Sequence, residues 1–155
     1  MITLEKAKRT DLASFVEMEQ AEDTRAFILP SSLSIHEAQF RETDIEYLSI
    51  YHRRSLVGFV ILAYKVPNEA ELRRIVVSRK GQGIGQAAIR AVEILCREQL
   101  KIQRIWLDVF QANQRGRYIY EKMGYTPFKS SPSPKGTLLF LEKLWKTSSD
   151  MIIGD

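Results

Sequence analysis

The sequence predicts a single α/β domain built on a mixed sheet, and three observations carry that reading. First, a β-branched run, Ile75-Val76-Val77, leads through Gly81, Gly83 and Gly85 into apolar residues at helical spacing, Ile84, Ala88, Ala91, Val92 and Leu95. Second, a further strand, Arg104 to Phe110, follows that helix, and a right-handed crossover would set it parallel to the first. Third, the apolar stretches Glu46–Arg53 and Leu56–Val66 are separated only by a short turn, as antiparallel neighbours are.

Taken in order, residues 2–7 alternate apolar and polar and read as a first strand. Thr10-Asp11 caps an expected helix over about 11–21. Residues 25–33 read as irregular, and Ser34-Ile35-His36-Glu37 has the pattern of a capping box for a helix running to about Glu42. Pro67-Asn68-Glu69 makes a turn into the strand Glu71–Ser78, and the helix after the glycines runs to about Gln99. Asn113 caps a helix that stops at Gly124. Tyr125–Phe128 starts a strand, 129–136 reads as a polar loop, and Thr137–Trp145 closes the order. The domain is expected over 1–146. The tail 147–155, with no evident partner for Ile152 and Ile153, is expected to fray.

A chain of 155 residues is the size of one domain and buries a sizeable core without disulfides. With Cys96 as the only cysteine, no internal disulfide forms, and its place on the apolar side of a helix suits a core thiol. The lack of paired thiols and of a secretory leader makes a cytoplasmic setting the expectation, and no apolar run reaches membrane-spanning length. The net charge of +4 suits an anionic ligand. The basic residues fall in pairs, not in a tract, so neither nucleic acid nor membrane is an expected partner.

The glycine turn is the most informative stretch. A turn that ends on a helix N-terminus aims unpaired N–H groups at one spot and adds the positive end of the helix dipole. It therefore suits a phosphate or pyrophosphate, with Arg79 and Lys80 adding charge beside it. Gly83-Ile84-Gly85-Gln86-Ala87-Ala88 also satisfies a dinucleotide fingerprint, with Asp108 downstream. Against that reading, Asp108 falls within a strand, and too little chain remains for the further βαβ units. A Walker-type site is excluded because no Gly-Lys-Ser/Thr follows the glycines.

Two linked motifs across residues 71–125 resemble the GNAT superfamily of acetyl-CoA-dependent N-acetyltransferases. Lys80-Gly81-Gln82-Gly83-Ile84-Gly85 is similar to the family's Arg/Gln-x-x-Gly-x-Gly/Ala, with Lys in the first place. Leu107-Asp108-Val109, Asn113 and Ile119-Tyr120-Glu121-Lys122-Met123-Gly124-Tyr125 are similar to its second motif, with Gly116 where Ala is usual and Tyr125 where Phe is usual. The resemblance implies a mostly antiparallel mixed sheet flanked by helices, in which two parallel strands splay and the pantetheine arm of acetyl-CoA lies between them. It implies that main-chain groups at Ile75, Val76 and Val77 meet that arm. It further implies that Lys80, Gly81, Gln82, Gly83, Ile84, Gly85 and Gln86 form the pyrophosphate loop and that Asn113 approaches the cofactor. Tyr120 matches the tyrosine that protonates the leaving thiolate, and Glu71 is the candidate base, directly or through water; no metal is implied. His36 and His52 are further candidate bases outside any motif.

For each candidate a plainer role stands beside the chemical one. Asn113 is a helix cap, Tyr120 a half-buried aromatic, and Glu71 a strand acid paired with Arg73 or Arg104. The acceptor is expected to be a primary amine on a small molecule or peptide, shaped by 22–33 and 129–136. Many relatives dimerise, so a homodimer stays open. A non-catalytic acyl-CoA-binding module with this fold is the alternative reading, because fold does not fix function.

Overall fold

The computed structural model describes residues 1–145, so the tail expected to fray lies outside the described residues. Two compact units divide the chain: Met1–Ala63 with Leu72–Val92, and Tyr64–Glu71 with Glu93 onward. Seven strands hydrogen-bond in the order β1-β2-β3-β4-β5-β7-β6. They are β1 (Ile2–Lys6), β2 (Ile45–His52), β3 (Ser55–Ala63), β4 (Glu69–Val77), β5 (Arg104–Phe110), β6 (Thr126–Ser133) and β7 (Gly136–Leu144).

In the first unit β1, β2 and β3 are antiparallel neighbours, Thr3 facing Tyr51 and Tyr47 facing Ile61. Their apolar residues meet α1 (Leu12–Glu19), where Phe15 stacks on Phe59 with ring centres 4.3 Å apart. Leu12, Phe15, Tyr47, Phe59, Ile61 and Val76 are core residues, with Met18, Ile28 and Phe40 packed against them. The two-residue hairpin between β2 and β3 places Arg53 and Arg54 at φ 52° and 68°. That is the hand a short hairpin favours, but L side chains there cost about 1–2 kcal/mol each.

The first helical region departs from expectation. The single helix over 11–21 is a 3₁₀ turn at Arg9–Asp11, then α1, and a short α2 (Glu22–Arg25) follows in residues between that helix and the stretch 25–33 expected to be irregular. The next helix, α3 (Leu33–Phe40), starts earlier than the capping-box pattern suggests. Ser32 is its cap, accepting from the Ile35 N–H at 3.3 Å, while Glu37 pairs with Arg9 across the surface. Serines in a row make several starts locally equivalent, and the tertiary pairing of Glu37 selects one.

α4 (Ile84–Ile94) is amphipathic and buries Ile84, Ala88, Ile89 and Val92. Its continuation at Leu95–Gln99 is a single π-helical turn, and Lys101 at φ 56° turns the chain towards β5.

In the second unit the start of β4 runs parallel to β5, with Glu69, Ala70 and Glu71 facing Arg104, Ile105 and Trp106. The parallel ladder covers those three pairs, although β4 runs on to Val77 and β5 to Phe110. β5 then pairs along its whole length with β7. The stretch 129–136, expected as a loop, is instead mostly strand: β6 pairs with β7 as far as Ser133 opposite Gly136, leaving a two-residue turn. Pro127 and Pro132 are tolerated because β6 is an edge strand, where a missing N–H costs no ladder bond. No helix among the described residues is long and apolar enough to cross a membrane.

Candidate active site

In the first unit, β4 delivers the glycine turn, and two contacts fix how its end lies. Gly58 on β3 lets the strands approach, since a Cβ there would fall 2.3 Å from the Val76 carbonyl oxygen. Just beyond, Ser78 donates its N–H and its hydroxyl to the Val57 carbonyl, at 2.8 and 3.0 Å. Val76 is buried, whereas Ile75 and Val77 on either side are half-buried.

The turn itself needs glycine for backbone reasons. Gly81 and Gly83 have φ of 80° and 74°, in the left-handed region, and a Cβ at either would meet nothing within 4 Å. Open space stands over both, and Gly81, Gln82 and Gly83 are exposed. The Ala87 N–H to the Gly83 carbonyl, 3.1 Å, is the first bond of the helical turn. The amides of Ile84, Gly85 and Gln86 before it therefore have no partner within the helix. Buried Ile84 anchors this end, so the amides are held in place rather than loosely presented.

Lys80 is placed otherwise than a charge aimed at a phosphate. Its ammonium donates to Thr24 Oγ1 at 2.7 Å, to the Val77 carbonyl at 3.0 Å and to Asp23 Oδ1 at 3.3 Å. It ties the entrance of the loop to α2, leaving its main chain in the turn. Nothing in the sequence announces this clasp, because its α2 partners, Asp23 and Thr24, lie more than fifty positions away.

His36 and Glu19 are also answered in this unit. His36 is fully buried, with Nδ1 2.6 Å from the Tyr47 hydroxyl and Nε2 2.6 Å from Glu19 Oε1. Arg74 donates to the other Glu19 oxygen and, at 3.0 Å, to the Leu29 carbonyl, and the Ser31 N–H reaches Glu19 as well. Burial alone would raise the Glu19 carboxyl, but hydrogen bonds from His36 and Arg74, with the Arg74 charge, hold it below its ordinary value. The candidate base His36 is therefore part of a buried polar core that pins the 29–31 segment. Sequence reading misses this network, since only the fold brings its four members together.

In the second unit, β5 leads into α5 (Gln114–Lys122), and Asn113 caps that helix. Its Oδ1 accepts the Gly116 N–H at 3.0 Å and its carbonyl accepts the Arg117 N–H at 3.0 Å. Gly116, standing where alanine is usual, has its own reason: a Cβ there would lie 2.6 Å from Asn113 Nδ2.

Tyr120 on α5 is half-buried, its ring edge-on to Tyr125 at 6.0 Å. Among the described residues its hydroxyl has no hydrogen-bond partner. Burial, with a smaller contribution from the Asp108 charge, pushes its pKa up to about 12. The group is thus a phenol held protonated and ready to donate. Tyr125 is the opposite case: buried, it donates to Glu93 Oε2 at 2.8 Å while Lys143 bonds the other Glu93 oxygen at 3.0 Å. Burial and the Glu93 charge push that phenol far above its ordinary value. A tyrosine where phenylalanine is usual is accommodated because Glu93 satisfies its hydroxyl.

Glu71 sits at the last pair of the parallel ladder, opposite Trp106, half-buried. Arg104, one of the arginines considered as its structural partner, bonds Glu69 at 3.0 Å and Glu142 at 2.8 Å. Cys96 is buried, as its helical position suggests. Among the described residues, no group of three or more His, Cys, Asp or Glu side chains could hold a metal ion.

These features have counterparts among known proteins. No curated protein matches the chain. Among solved structures, spermidine N-acetyltransferase from Vibrio cholerae, in complex with CoA and spermine, is similar at TM-score 0.80 and 16 % identity, over 92 % of this chain and 95 % of that one. Ribosomal-protein alanine N-acetyltransferase from Escherichia coli is similar at TM-score 0.78 and 18 % identity, over 96 % of both chains. An aminoglycoside acetyltransferase in complex with coenzyme A is similar at TM-score 0.78 and 16 % identity, over 93 % and 95 %. At such identities the likeness establishes the fold. The model of the acetyltransferase (GNAT) family matches residues 11–125 and covers both the glycine turn and the Tyr120 motif. The chain therefore belongs to the GNAT family of acetyltransferases.

Proposed function

We propose that this protein transfers the acetyl group of acetyl-CoA directly to a primary amine, with Tyr120 as the acid and Glu71, or a water, as the base. The observation that carries the proposal is the Tyr120 hydroxyl, which is unengaged among the described residues and has its pKa pushed up to about 12. A phenol with no structural partner is a poor investment for folding and a good proton donor.

The chain's own groups divide the work. Amides of Gln82 to Gln86 hold the pyrophosphate, and the open space over Gly81 and Gly83 fits such an anion, since a side chain there would occupy it. Main-chain groups of Ile75, Val76 and Val77 align the pantetheine arm as a strand would be aligned. Acetyl-CoA supplies an acetyl group activated as a thioester. A main-chain N–H on β4 bonds the carbonyl oxygen as negative charge develops there. The amine nitrogen forms a bond to the carbonyl carbon while the carbon–sulfur bond breaks. Glu71 or water takes the proton lost by the amine, and Tyr120 gives its proton to the departing sulfur. Asn113, while capping α5, lies on the motif that approaches the cofactor in relatives.

The acceptor is proposed only as a primary amine. The similar structures carry names of enzymes acting on spermidine, aminoglycosides and a protein alanine, and their low identity transfers none of these here. Exposed Phe27 and Leu29 give the 22–33 stretch an apolar surface that suits part of such a molecule. The test is release of free CoA from acetyl-CoA in the presence of a broad amine panel, alongside calorimetric binding. Turnover with any amine supports the reading. Tight binding with no turnover across the panel would favour the non-catalytic module.

A further inference from the structure

One face of the sheet in the second unit gathers rings and carboxylates around the proposed base. Residues paired across a ladder share a face, and the face recurs at every second position along a strand. Glu71, Trp106 and Glu142 therefore stand in one row, and Asp108, Phe140 and Lys129 in the next. Glu69 and Arg104 form the row on the other side of Trp106. The carboxylates Glu69, Glu71, Asp108 and Glu142 outnumber the cations Arg104 and Lys129 there, so the face is acidic on a chain whose net charge is +4.

The rings run as a ladder across the strands. Trp106 lies against Phe140 with ring centres 6.1 Å apart, and Phe140 meets Phe128 at 6.2 Å. Lys129 Nζ lies 4.6 Å from the centre of the Phe140 ring, and the Arg104 guanidinium 4.8 Å from that of Phe128. Two rings of the ladder thus carry one of the chain's own cations. The other tryptophan of the chain, Trp145, carries Arg97 at 5.5 Å. Trp106 is only half-buried, and among the described residues no cation lies over its ring. An indole attracts a cation more strongly than a phenyl ring does, so the strongest of the three rings is the one left open, in the row that holds Glu71.

We infer that the Trp106 ring holds a second, non-reacting ammonium of the acceptor, which makes that acceptor a diamine or longer polyamine. The inference rests on the acetyl-transfer reading above and deepens it. Glu71 and Trp106 are direct neighbours, with Cα atoms roughly 5 Å apart, and the Asp108 row lies roughly 7 Å further along the strand. An ammonium over Trp106 is therefore one short alkyl chain away from an amine beside Glu71. The two nitrogens need different surroundings. The reacting one must be neutral to attack, so it needs a group that takes its proton, whereas the other keeps its charge and is held by an indole face that exchanges no proton. The excess of carboxylates on the face favours a dication over a monocation.

The test measures CoA release at saturating acetyl-CoA with n-butylamine, with putrescine, and with putrescine trimethylated on one nitrogen. On the native chain both doubly charged probes are expected to exceed butylamine about tenfold in kcat/KM, through KM and not kcat. In Trp106→Leu that ratio is expected to fall to within about twofold of one, while acetyl-CoA affinity by calorimetry and the butylamine parameters hold. Trp106→Phe, which keeps a weaker ring, is expected to fall between the two.

Equal use of butylamine and putrescine by the native chain overturns the inference, as does a ratio untouched in Trp106→Leu. Preference for putrescine with loss of the trimethylated probe also overturns it, because it assigns the second nitrogen to hydrogen-bonding carboxylates. That probe needs no variant, so it decides the question on the native chain even where Trp106→Leu does not fold. Turnover of other amines but of none of these three defeats this inference alone. No turnover with any amine defeats the acetyl-transfer reading and this inference with it.

Discussion

Replacing Tyr120 with phenylalanine removes one oxygen and isolates the chemical step. The ring is edge-on to Tyr125 at 6.0 Å, and phenylalanine keeps that contact. The hydroxyl has no partner among the described residues, so its loss strands no buried group. Stability is therefore expected to change by less than about 0.5 kcal/mol. General acids contribute roughly 10²–10⁴ in rate, and solvent replaces a phenol in part, so the lower end applies. We expect turnover to fall about 100-fold, equivalent to about 2.7 kcal/mol, with acetyl-CoA affinity within about twofold of native. The assay is single-turnover release of CoA thiol, so that product release does not mask chemistry. The native pH profile adds a check. With its pKa near 12, Tyr120 remains protonated through pH 10, and no loss of its donor function should appear where an ordinary tyrosine would ionise. A single-turnover rate unchanged in the variant, with binding intact, would remove Tyr120 from the mechanism.

Other outcomes follow from the same structure. Gly83→Asp should abolish most CoA binding by putting a negative side chain into the space over the turn. Gly83→Ala, at φ 74°, should cost about 1–2 kcal/mol of stability and less affinity, and normal CoA binding by the aspartate form would mean the turn has another role. Glu19→Gln should cost about 3–5 kcal/mol, lowering the melting temperature by about 10 °C, because it leaves Arg74 and His36 in a buried site without the carboxylate. The Glu19 carboxyl is held low in the fold, so its stabilisation is complete above the unfolded value near 4.5 and is lost as pH falls through the folded value. Native protein should thus lose stability below pH 4.5 more steeply than the Gln variant, and parallel acid curves would count against the network. Gly58→Ala should cost about 3 kcal/mol or more, since its methyl meets the Val76 carbonyl oxygen at 2.3 Å; an unaltered melting temperature would show that β3 and β4 pack less closely.

The sequence by itself determined the parts whose causes are local. Left-handed glycines, an amphipathic face beginning at Ile84, the Asn113 cap and the β-branched run before the turn follow from backbone sterics and periodicity, and each is where those rules put it. The linked spacing of the turn and the Tyr120 motif likewise identified the family. What only the tertiary structure decided depends on partners distant along the chain. Ser32 rather than Ser34 starts α3 with Glu37 held by Arg9, and β6 runs to Ser133 because β7 is there to pair with it. Lys80 turns to Thr24 and Asp23, His36 disappears into a carboxylate–arginine core, and Tyr125 finds Glu93. Charge and hydrogen-bond capacity are written in a residue, but what satisfies them is set by which neighbours folding brings within about 3 Å.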